Sequence, residues 1–344
     1  MKKKLLFISR LYYPHVGGVE KHIFELKKVL LERDYEISLV AERHDVGVKF
    51  FESQYGINVY RISYPKIRFF GLIIIWIKLL RFIPLIRKSD IVHVHDVFLW
   101  YLPFRLLFPF KNVYMTFHGY SEFPLRKITI LQKKLTNSLV KGWIGVGEFI
   151  EKWYGVKLDK ITYGAVDIKD FLPKKTKIIY DAVFASRLSD QTGIAEYLES
   201  IKILKSKYDT KIRVVVLGDG EYKKDADKLT KTKGFVRDVV PFFNKSKIAF
   251  VNRYLAILEA FANKKLVIAT YNNEIKKDYL MMTPFKDWIV VEKDPEKLAE
   301  KIKYYLDHPE KAKPMIEAAY KWVQGQTWEK MADTYEELWG VKKK

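Results

Sequence analysis

The sequence contains no cysteine among its 344 residues. A chain without cysteine has no disulfide framework, no thiolate nucleophile and no cysteine-ligated zinc or iron–sulfur centre. Glycine and proline are few, at 17 and 12 residues, and no repeat or low-complexity tract occurs. Because 49% of the residues are hydrophobic and 15% are aromatic, this composition excludes the disordered and fibrous classes and indicates a folded protein.

Two common phosphate-binding signatures are also missing. The sequence has no GxxxxGK[ST] loop and no GxGxxG fingerprint after its first apolar run, which disfavours P-loop NTPases and dinucleotide dehydrogenases. Acidic residues are scarce relative to basic ones, with 41 Asp and Glu against 62 Lys and Arg, for a formal net charge of +21. This excess attracts polyanions, but charge alone does not distinguish nucleic acids, anionic lipid surfaces and phosphorylated substrates.

Short apolar runs alternate with longer helical patterns, which is typical of parallel βαβ units. The basic amino terminus is interpreted as a first buried strand, because Arg10 interrupts its apolar run too early for a signal peptide. The pattern predicts two doubly wound sheets joined near the polar segment 167–177. The strands expected in the first sheet are Lys4–Ser9, Glu36–Ala41, Asn58–Ile62, Ile91–His95, Val113–Phe117 and Gly142–Val146, and those in the second are Tyr180–Ala185, Ile212–Leu217, Lys233–Val236, Ile248–Val251, Leu266–Ala269 and Trp288–Val291.

The segment Phe69–Lys88 is apolar on nearly every side. Charges near its middle and Pro84 near its end disfavour a spanning helix. A helix lying in the interface plane of a membrane fits better, and the alternative is a helix buried between the sheet and a neighbour. A second aromatic run, Phe98–Lys111, either extends this surface or belongs to the core. The candidate membrane residues are Phe69, Phe70, Trp76, Lys78, Arg81, Arg87 and Lys88, with Lys66 and Arg68 as further lipid-phosphate ligands.

An ordered set of motifs follows the predicted strands. Gly17 and Gly18 stand at the first strand-to-helix turn, where glycine lets the backbone approach a phosphate, although a tight turn alone also explains them. His93 and His95 point to the same side of their strand, and without a third ligand they are interpreted as packing or cleft residues. The later motifs are Thr116-Phe117-His118-Gly119, Tyr163-Gly164-Ala165-Val166-Asp167, Phe184-Ala185-Ser186-Arg187-Leu188, Val216-Leu217-Gly218-Asp219-Gly220-Glu221 and Leu258-Glu259-Ala260-Phe261-Ala262.

Taken together and in this order, the motifs resemble the family 4 retaining glycosyltransferases (glycosyltransferase group 1) over essentially the whole chain. The resemblance implies an α/β fold of GT-B architecture, with two facing Rossmann-like domains. Residues 1–168 would bind the acceptor and associate with the membrane, residues 169–326 would bind the nucleotide-sugar, and residues 327–344 would form a helix returning to the first domain. No cofactor or metal is expected.

The implied reaction moves a hexose from a UDP- or GDP-linked donor to a lipid-linked or polysaccharide acceptor, with retention, on the cytoplasmic face of the membrane. Gly17 and Gly18 would meet the donor diphosphate through their backbone, and His118 would contact the transferred sugar. Arg187 would pair with the diphosphate through its guanidinium fork, and Glu259 would accept hydrogen bonds from the ribose. Nucleic-acid binding rests on net charge only and is not expected.

Two positions depart from the pattern of the family. Thr192 stands where its members usually carry a second diphosphate-binding lysine, and Val251 stands where they carry the first of two glutamates. The departures support a second hypothesis, a catalytically weak homologue that binds nucleotide, sugar or a partner protein. Gly218 is expected near the base, and Tyr254 with Leu255 is expected to present backbone amides to the phosphate. The missing positive charge would come from a neighbour such as Arg253, Lys21 or Arg10.

Overall fold

The structure is a computed structural model that describes residues 2–64, 70–120 and 122–341. The chain divides into two compact units. The first unit comprises Met1–Thr162 and Trp328–Lys344, and the second comprises Tyr163–Thr327. The predicted α/β fold of two parallel-sheet domains is confirmed.

The first unit is built around a sheet that has eight strands in the described part of the chain, in the order β3-β4-β2-β1-β5-β6-β7-β8. All pairings are parallel except that of β3 with β4. Every residue of β5, β6 and β7 is buried, as is usual for parallel strands covered on both faces. The strands are β1 (Lys3–Ser9), β2 (Tyr35–Glu42), β3 (Phe51–Gln54), β4 (Ile57–Ile62), β5 (Ile91–His95), β6 (Val113–Phe117), β7 (Gly142–Val146) and β8 (Lys160–Thr162).

The second unit has a parallel sheet of six strands among the residues described, in the order β11-β10-β9-β12-β13-β14. Its core is formed by apolar side chains of these strands and of the helices that follow them, including Phe184, Tyr197 and Phe250. The strands are β9 (Tyr180–Ala185), β10 (Val214–Leu217), β11 (Lys231–Thr232), β12 (Ser246–Phe250), β13 (Leu266–Ala269) and β14 (Ile289–Val291).

Helices connect the strands in both units. In chain order they are α1 (Gly18–Glu32), α2 (Gly71–Leu79), α3 (Ile83–Lys88), α4 (Phe98–Leu107), α5 (Lys127–Leu139), α6 (Phe149–Tyr154), α7 (Ile168–Phe171), α8 (Ile194–Tyr208), α9 (Lys223–Leu229), α10 (Val240–Asn244), α11 (Tyr254–Ala262), α12 (Glu274–Met281), α13 (Pro295–Asp307), α14 (Pro309–Val323) and α15 (Trp328–Leu338). Short 3₁₀ turns span Leu80–Phe82, Asp190–Thr192 and Lys286–Trp288.

One predicted strand is wrong and two observed strands were not predicted. Lys233–Val236 is not a strand, because the ladder consists of Lys231–Thr232 and only an isolated bridge joins Gly234 to Gly218. Gly234 has φ +66°, a left-handed conformation that leaves the strand geometry. The unpredicted strands, β3 and β8, are short and partly exposed. The other predicted strands are present, with ends within two residues of the prediction.

The last helix, α15, belongs to the first unit and packs against α1. Its Tyr335 side chain is fully buried, and so, nearly, is Trp339, the residue directly after the helix. The Arg33 guanidinium donates to Asp333 at 2.7 Å and to Glu336 at 2.5 Å, and these carboxylates raise its pKa against the opposing effect of burial. The contacts fix the helix on the first sheet although more than 160 residues separate it in sequence from β8.

Each sheet has one point where the strand order reverses. The reversal lies between β1 and β5 in the first unit and between β9 and β12 in the second. In open parallel sheets, ligands bind beyond the carboxyl ends of the strands at such a switch point. The loops that follow these four strands therefore define the candidate site in each unit.

Candidate functional site

The paired glycines begin α1 at the switch point of the first sheet. Gly17 is the N-cap of the helix and Gly18 is its exposed first residue, and in the described chain no side chain caps this end. Gly17 has an extended backbone, with φ −167°, so its conformation does not demand glycine. A Cβ at this position would instead overlap the Glu20 carboxylate. The amide groups at this helix start, and the positive end of the helix dipole, suit an anion.

The Glu20 carboxylate is itself held close to the helix start. It is buried, and its Oε1 lies 2.7 Å from Nδ1 of the half-buried His15. A carboxylate in the first turn of a helix is favourable by itself, but it raises the cost of a second anion nearby. The His15 ring, donating through Nδ1 to this carboxylate, offsets part of that repulsion.

His118 follows β6, the strand next to β5. Its backbone N–H donates to Asp96 Oδ1 at 2.9 Å, and its Nε2 lies 2.9 Å from Nδ1 of His95. Burial, together with the nearby Lys133 ammonium, lowers the pKa of His118 to about 3. At physiological pH the ring is therefore neutral. It can donate or accept a hydrogen bond, but it is not an imidazolium that could act as a general acid.

Four histidines, His22, His93, His95 and His118, form a histidine cluster beside the buried face of α15. The His22 and His118 rings meet edge to face at 4.9 Å, and the His95 and His118 rings stack at 5.2 Å. His22, His93 and His95 are buried, and burial lowers the pKa of each well below its ordinary value. His93 and His95 are thus packing residues, and His95 also contacts the proposed site residue His118.

Two charged residues beside His118 were not singled out from the sequence. Burial raises the pKa of Asp96, which takes the left-handed φ of +62° at the end of β5. Burial also lowers the pKa of Lys133 to about 8, although the Asp96 carboxylate acts in the opposite direction. The Lys133 ammonium lies 3.3 Å from the centre of the Phe117 ring. The pattern of a single strand does not reveal Lys133, because it reaches the site from α5.

Arg187 stands in the loop after β9, at the switch point of the second sheet. Its side chain is exposed, and no hydrogen bond or ion pair to its guanidinium occurs within the described residues. The neighbouring loop after β10 packs directly on this backbone: a Cβ at Gly218 would overlap the carbonyl oxygen of Ser186, and Leu188 N–H donates to Asp219 O at 3.0 Å. Gly218 therefore supports the Arg187 loop by a close backbone approach.

The two departures from the family pattern are both buried. Thr192 Oγ1 lies 2.7 Å from the carbonyl oxygen of Arg187 and 2.6 Å from that of Ser189, so its hydroxyl closes the loop after β9. Val251, directly after β12, is 1% exposed. Neither position offers a charged group to a ligand. The guanidinium of Arg253 donates to Gln191 Oε1 at 2.9 Å, beside Thr192.

Tyr254 is not available as predicted. Its backbone amide donates to the Tyr279 hydroxyl at 2.9 Å, and the two rings stack with centroids 3.9 Å apart. The expectation that this amide meets a phosphate is therefore wrong, because tertiary contacts with α12 already satisfy it. Leu255 follows in the first turn of α11, half-buried near Gly164, and Glu259 lies on the same helix with 8% of its surface exposed.

A buried lysine contacts the loop between β12 and α11. Lys276 on α12 is 1% exposed, donates to the carbonyl oxygen of Asn252, and lies 4.0 Å from the centre of the Tyr279 ring. Burial, with a smaller contribution from Arg253, lowers its pKa well below the ordinary value. No local pattern indicates this residue, since a lysine in an amphipathic helix usually faces solvent.

The helices of segment Phe69–Lys88 are buried on one side and exposed on the other. Ile75, Leu79, Phe82 and Ile86 face the core at helical spacing. The exposed apolar side chains of the amphipathic face are Phe70, Ile73, Ile77 and Leu80. In the second run, Trp100 and Phe104 are buried, whereas Leu106, Leu107 and Phe110 are exposed.

Three predicted membrane residues are tied to the chain itself. Trp76 Nε1 donates to Leu99 O at 2.7 Å, Lys78 Nζ donates to Ser63 O at 2.8 Å, and Arg81 donates to Arg61 O at 2.7 Å. Carbonyl groups of β4, of α4 and of the residue after β4 thus accept hydrogen bonds from these side chains, and their role as lipid contacts stays a prediction. Phe70, Arg87 and Lys88 are exposed, while Phe69, Lys66 and Arg68 lie outside the described residues.

Membrane-spanning and metal-binding features do not occur in the described residues. No helix there has the length and hydropathy needed to cross a bilayer. The same part of the chain contains no group of three or more His, Asp or Glu side chains arranged to hold a metal ion.

Two family models match the chain, one over each half. The family described as Glycosyltransferase Family 4 matches residues 16–162, and that described as Glycosyl transferases group 1 matches residues 167–322. These matches, together with the fold, identify a glycosyltransferase of GT-B architecture. The chain belongs to glycosyltransferase group 1, with a family 4 amino-terminal half, as the motifs predicted.

Solved structures share the fold over nearly the whole chain. A glycosyltransferase from Rickettsia africae ESF-5 is 19% identical with a TM-score of 0.70, and the match covers 98% of each chain. Sucrose-phosphate synthase from Thermosynechococcus elongatus is 14% identical with a TM-score of 0.74, again over 98% of each chain. An E. coli structure described as trehalose-6-phosphate bound with UDP-2-fluoro glucose is 12% identical, with a TM-score of 0.74 over 99% of this chain and 100% of that one.

A curated relative matches a shorter stretch. One component of human phosphatidylinositol N-acetylglucosaminyltransferase is 29% identical over 104 residues, which is 27% of this chain and 20% of that protein. The chain thus spans about a fifth of the length of this relative.

Proposed function

We propose that the protein is a retaining glycosyltransferase that moves a hexose from a nucleotide-sugar to a lipid-linked or polysaccharide acceptor at a membrane surface. The observation that carries the proposal is the exposed Arg187 guanidinium at the switch point of the second sheet. A fixed, always charged fork at this position suits the diphosphate of a nucleotide-sugar.

In the second unit, Arg187 contributes its guanidinium to the diphosphate of the donor, and Glu259 accepts hydrogen bonds from the ribose. In the first unit, the amide groups of the α1 start at Gly17 and Gly18 form a candidate anion site. In the reaction, the bond between the anomeric carbon and the diphosphate oxygen breaks, and a bond from an acceptor hydroxyl oxygen forms on the same face. The hydroxyl proton leaves with the diphosphate, whose developing charge Arg187 stabilises. The UDP-2-fluoro glucose in the E. coli structure of the same fold supports a nucleotide-sugar donor.

The acceptor is proposed to reach the first unit from a membrane. The amphipathic face exposes Phe70 by 63%, Ile73 by 46%, Ile77 by 61% and Leu80 by 50%. Exposed apolar side chains on one face of a helix, in a chain of net charge +21, fit an interfacial helix on an anionic surface. The name of the human relative, which specifies phosphatidylinositol, supports a lipid acceptor.

The donor assignment is tested by offering UDP-, GDP- and ADP-linked sugars together with membrane extract. We expect transfer from one donor class and loss of at least 100-fold in kcat/KM for Arg187→Ala, about 3 kcal/mol of lost transition-state stabilisation. The matched control is Arg213→Ala, because Arg213 pairs with Asp181 at the opposite end of the same sheet. The proposal fails when no sugar is transferred and no nucleotide stabilises the protein.

The membrane assignment is tested by flotation with vesicles that contain anionic phospholipid. The double variant Ile73→Glu, Ile77→Glu should bind vesicles at least tenfold more weakly, because it places charge in the acyl region. Val46→Glu is the control, since Val46 is 87% exposed elsewhere in the first unit. Equal binding by both variants would rule out docking through this face.

The buried Thr192 and Val251 favour a second candidate, a catalytically weak homologue that binds nucleotide or sugar. Because position 192 carries threonine instead of lysine, the second unit presents less positive charge to the diphosphate than the family pattern would. This candidate predicts that a nucleotide raises the melting temperature in the absence of any transfer. Turnover with the donor panel separates it from the first.

A further inference from the structure

A chain of hydrogen bonds through the core of the first unit determines which ring nitrogens carry protons. It begins at Trp339, whose Nε1 can only donate and lies 3.0 Å from Nδ1 of His93. His93 Nδ1 must therefore be a bare acceptor. Because burial holds His93 in its neutral form, its single proton lies on Nε2.

The remaining links follow in one direction. His93 Nε2 donates to Thr116 Oγ1 at 2.8 Å, the Thr116 hydroxyl donates to Tyr335 Oη at 2.6 Å, and the Tyr335 hydroxyl donates to His22 Nε2 at 2.8 Å. With these directions, every donor in the series of hydrogen bonds has one acceptor. His22, also neutral because of burial, carries its proton on Nδ1.

The same reasoning applies to His95 and His118, whose Nδ1 and Nε2 are 2.9 Å apart. Both rings are neutral, so one proton lies between them. If His118 supplied it, the proton of His95 would lie on Nε2, which is buried and has no partner among the described residues. A buried N–H without an acceptor is rarer in proteins than an under-used acceptor. The proton between the rings therefore belongs to His95.

We propose that His95 is a positioning residue that fixes the tautomer of His118, so that His118 presents Nδ1–H to the substrate as a neutral donor. The identity of that substrate rests on the proposed function, and the contacted group is an oxygen of the transferred sugar. His118 Nδ1 makes no hydrogen bond within the described chain, and the ring lies at the carboxyl end of β6. A neutral N–H can orient a sugar oxygen by donating a hydrogen bond to it, and the ring keeps its proton during the reaction.

The tautomers are read directly by nitrogen-15 NMR of the full chain labelled at histidine, because protonated and bare ring nitrogens have distinct signals. We expect His118 to be protonated at Nδ1 and bare at Nε2, and His95 to be protonated at Nδ1. Single histidine variants assign the signals. A proton on His118 Nε2, or titration of His118 to imidazolium between pH 6 and 8, overturns the proposal whether or not the protein transfers sugar.

The functional consequence is tested with two substitutions at His95. His95→Asn places an amide donor near the position of Nδ1, whereas His95→Leu removes it. We expect His95→Leu to lower kcat at least tenfold with little change in donor KM, and to mix the tautomers of His118, while His95→Asn restores both. Equal effects of the two substitutions would overturn the positioning role. Absence of transfer by the unmodified protein would refute the proposed function and leave the NMR result as the test of the tautomer.

Discussion

We expect the histidine cluster to lower the stability of the first unit in mild acid. Burial keeps His22, His93 and His95 neutral, and lowers the pKa of His118 to about 3. In the unfolded chain each histidine has a pKa of about 6.5. Below that pH the unfolded state binds protons that the folded state does not, so the free energy of unfolding falls as the pH falls.

The size of the change in the free energy of unfolding with pH follows from the number of buried histidines. Each one contributes about 1.4 kcal/mol per pH unit once it is fully protonated in the unfolded chain, so four contribute about 5 kcal/mol per pH unit. A typical domain stability of about 5–15 kcal/mol would then be lost within about one to three pH units. The effect is largest between about pH 5.5 and 4.5, below the titration of unfolded histidine and above that of most carboxylates.

The assay is urea unfolding of the full chain at several pH values, followed by amide exchange of peptides from β5 and β6. We expect His95→Asn to reduce the slope by about 1.4 kcal/mol per pH unit, since it removes one such histidine. His308→Asn is the control, because His308 is exposed. A slope for the unmodified protein below about 1.4 kcal/mol per pH unit would refute the reasoning, since it is less than one histidine contributes.

Three substitutions test other contacts through the free energy of unfolding. Tyr335→Phe should cost about 1–3 kcal/mol, because it removes the hydroxyl that joins two buried polar groups, whereas Tyr304→Phe on the surface should have no effect. Gly218→Ala should cost about 3 kcal/mol or more from steric overlap and strain, while Gly234→Ala, with open space around its Cβ, should cost about 1 kcal/mol. Thr192→Val should cost about 1–3 kcal/mol and weaken nucleotide binding, because its hydroxyl closes the loop after β9; unchanged nucleotide affinity would contradict that role.

The buried parallel strands were predictable because each is a continuous apolar run. Strands such as β6 and β13 have both faces covered, so every residue contributes to the signal. The apolar pattern does not predict the strands at the sheet edges. β3 pairs antiparallel with β4 and is half exposed, and β11 contains two residues, too few for a pattern.

The candidate site was predictable only where it depends on local sequence. His118 and Arg187 come within two residues of the ends of β6 and β9, and Gly17 ends the loop between β1 and α1, so a strand prediction brings them to the carboxyl edge of a sheet. The prediction for Tyr254 failed because the hydroxyl of Tyr279, on another helix, accepts the hydrogen bond from its backbone amide, and no local pattern indicates such a partner. The histidine cluster was missed for the same reason, since Tyr335 reaches it from the last helix.

The proposed function requires that the protein bind the diphosphate of a nucleotide-sugar. The measurement that tests it most directly is a crystal structure of the protein with a bound nucleotide-sugar. We expect diphosphate oxygens within hydrogen-bond distance of the Arg187 guanidinium. A nucleotide-sugar bound with its diphosphate away from Arg187 would contradict the claim.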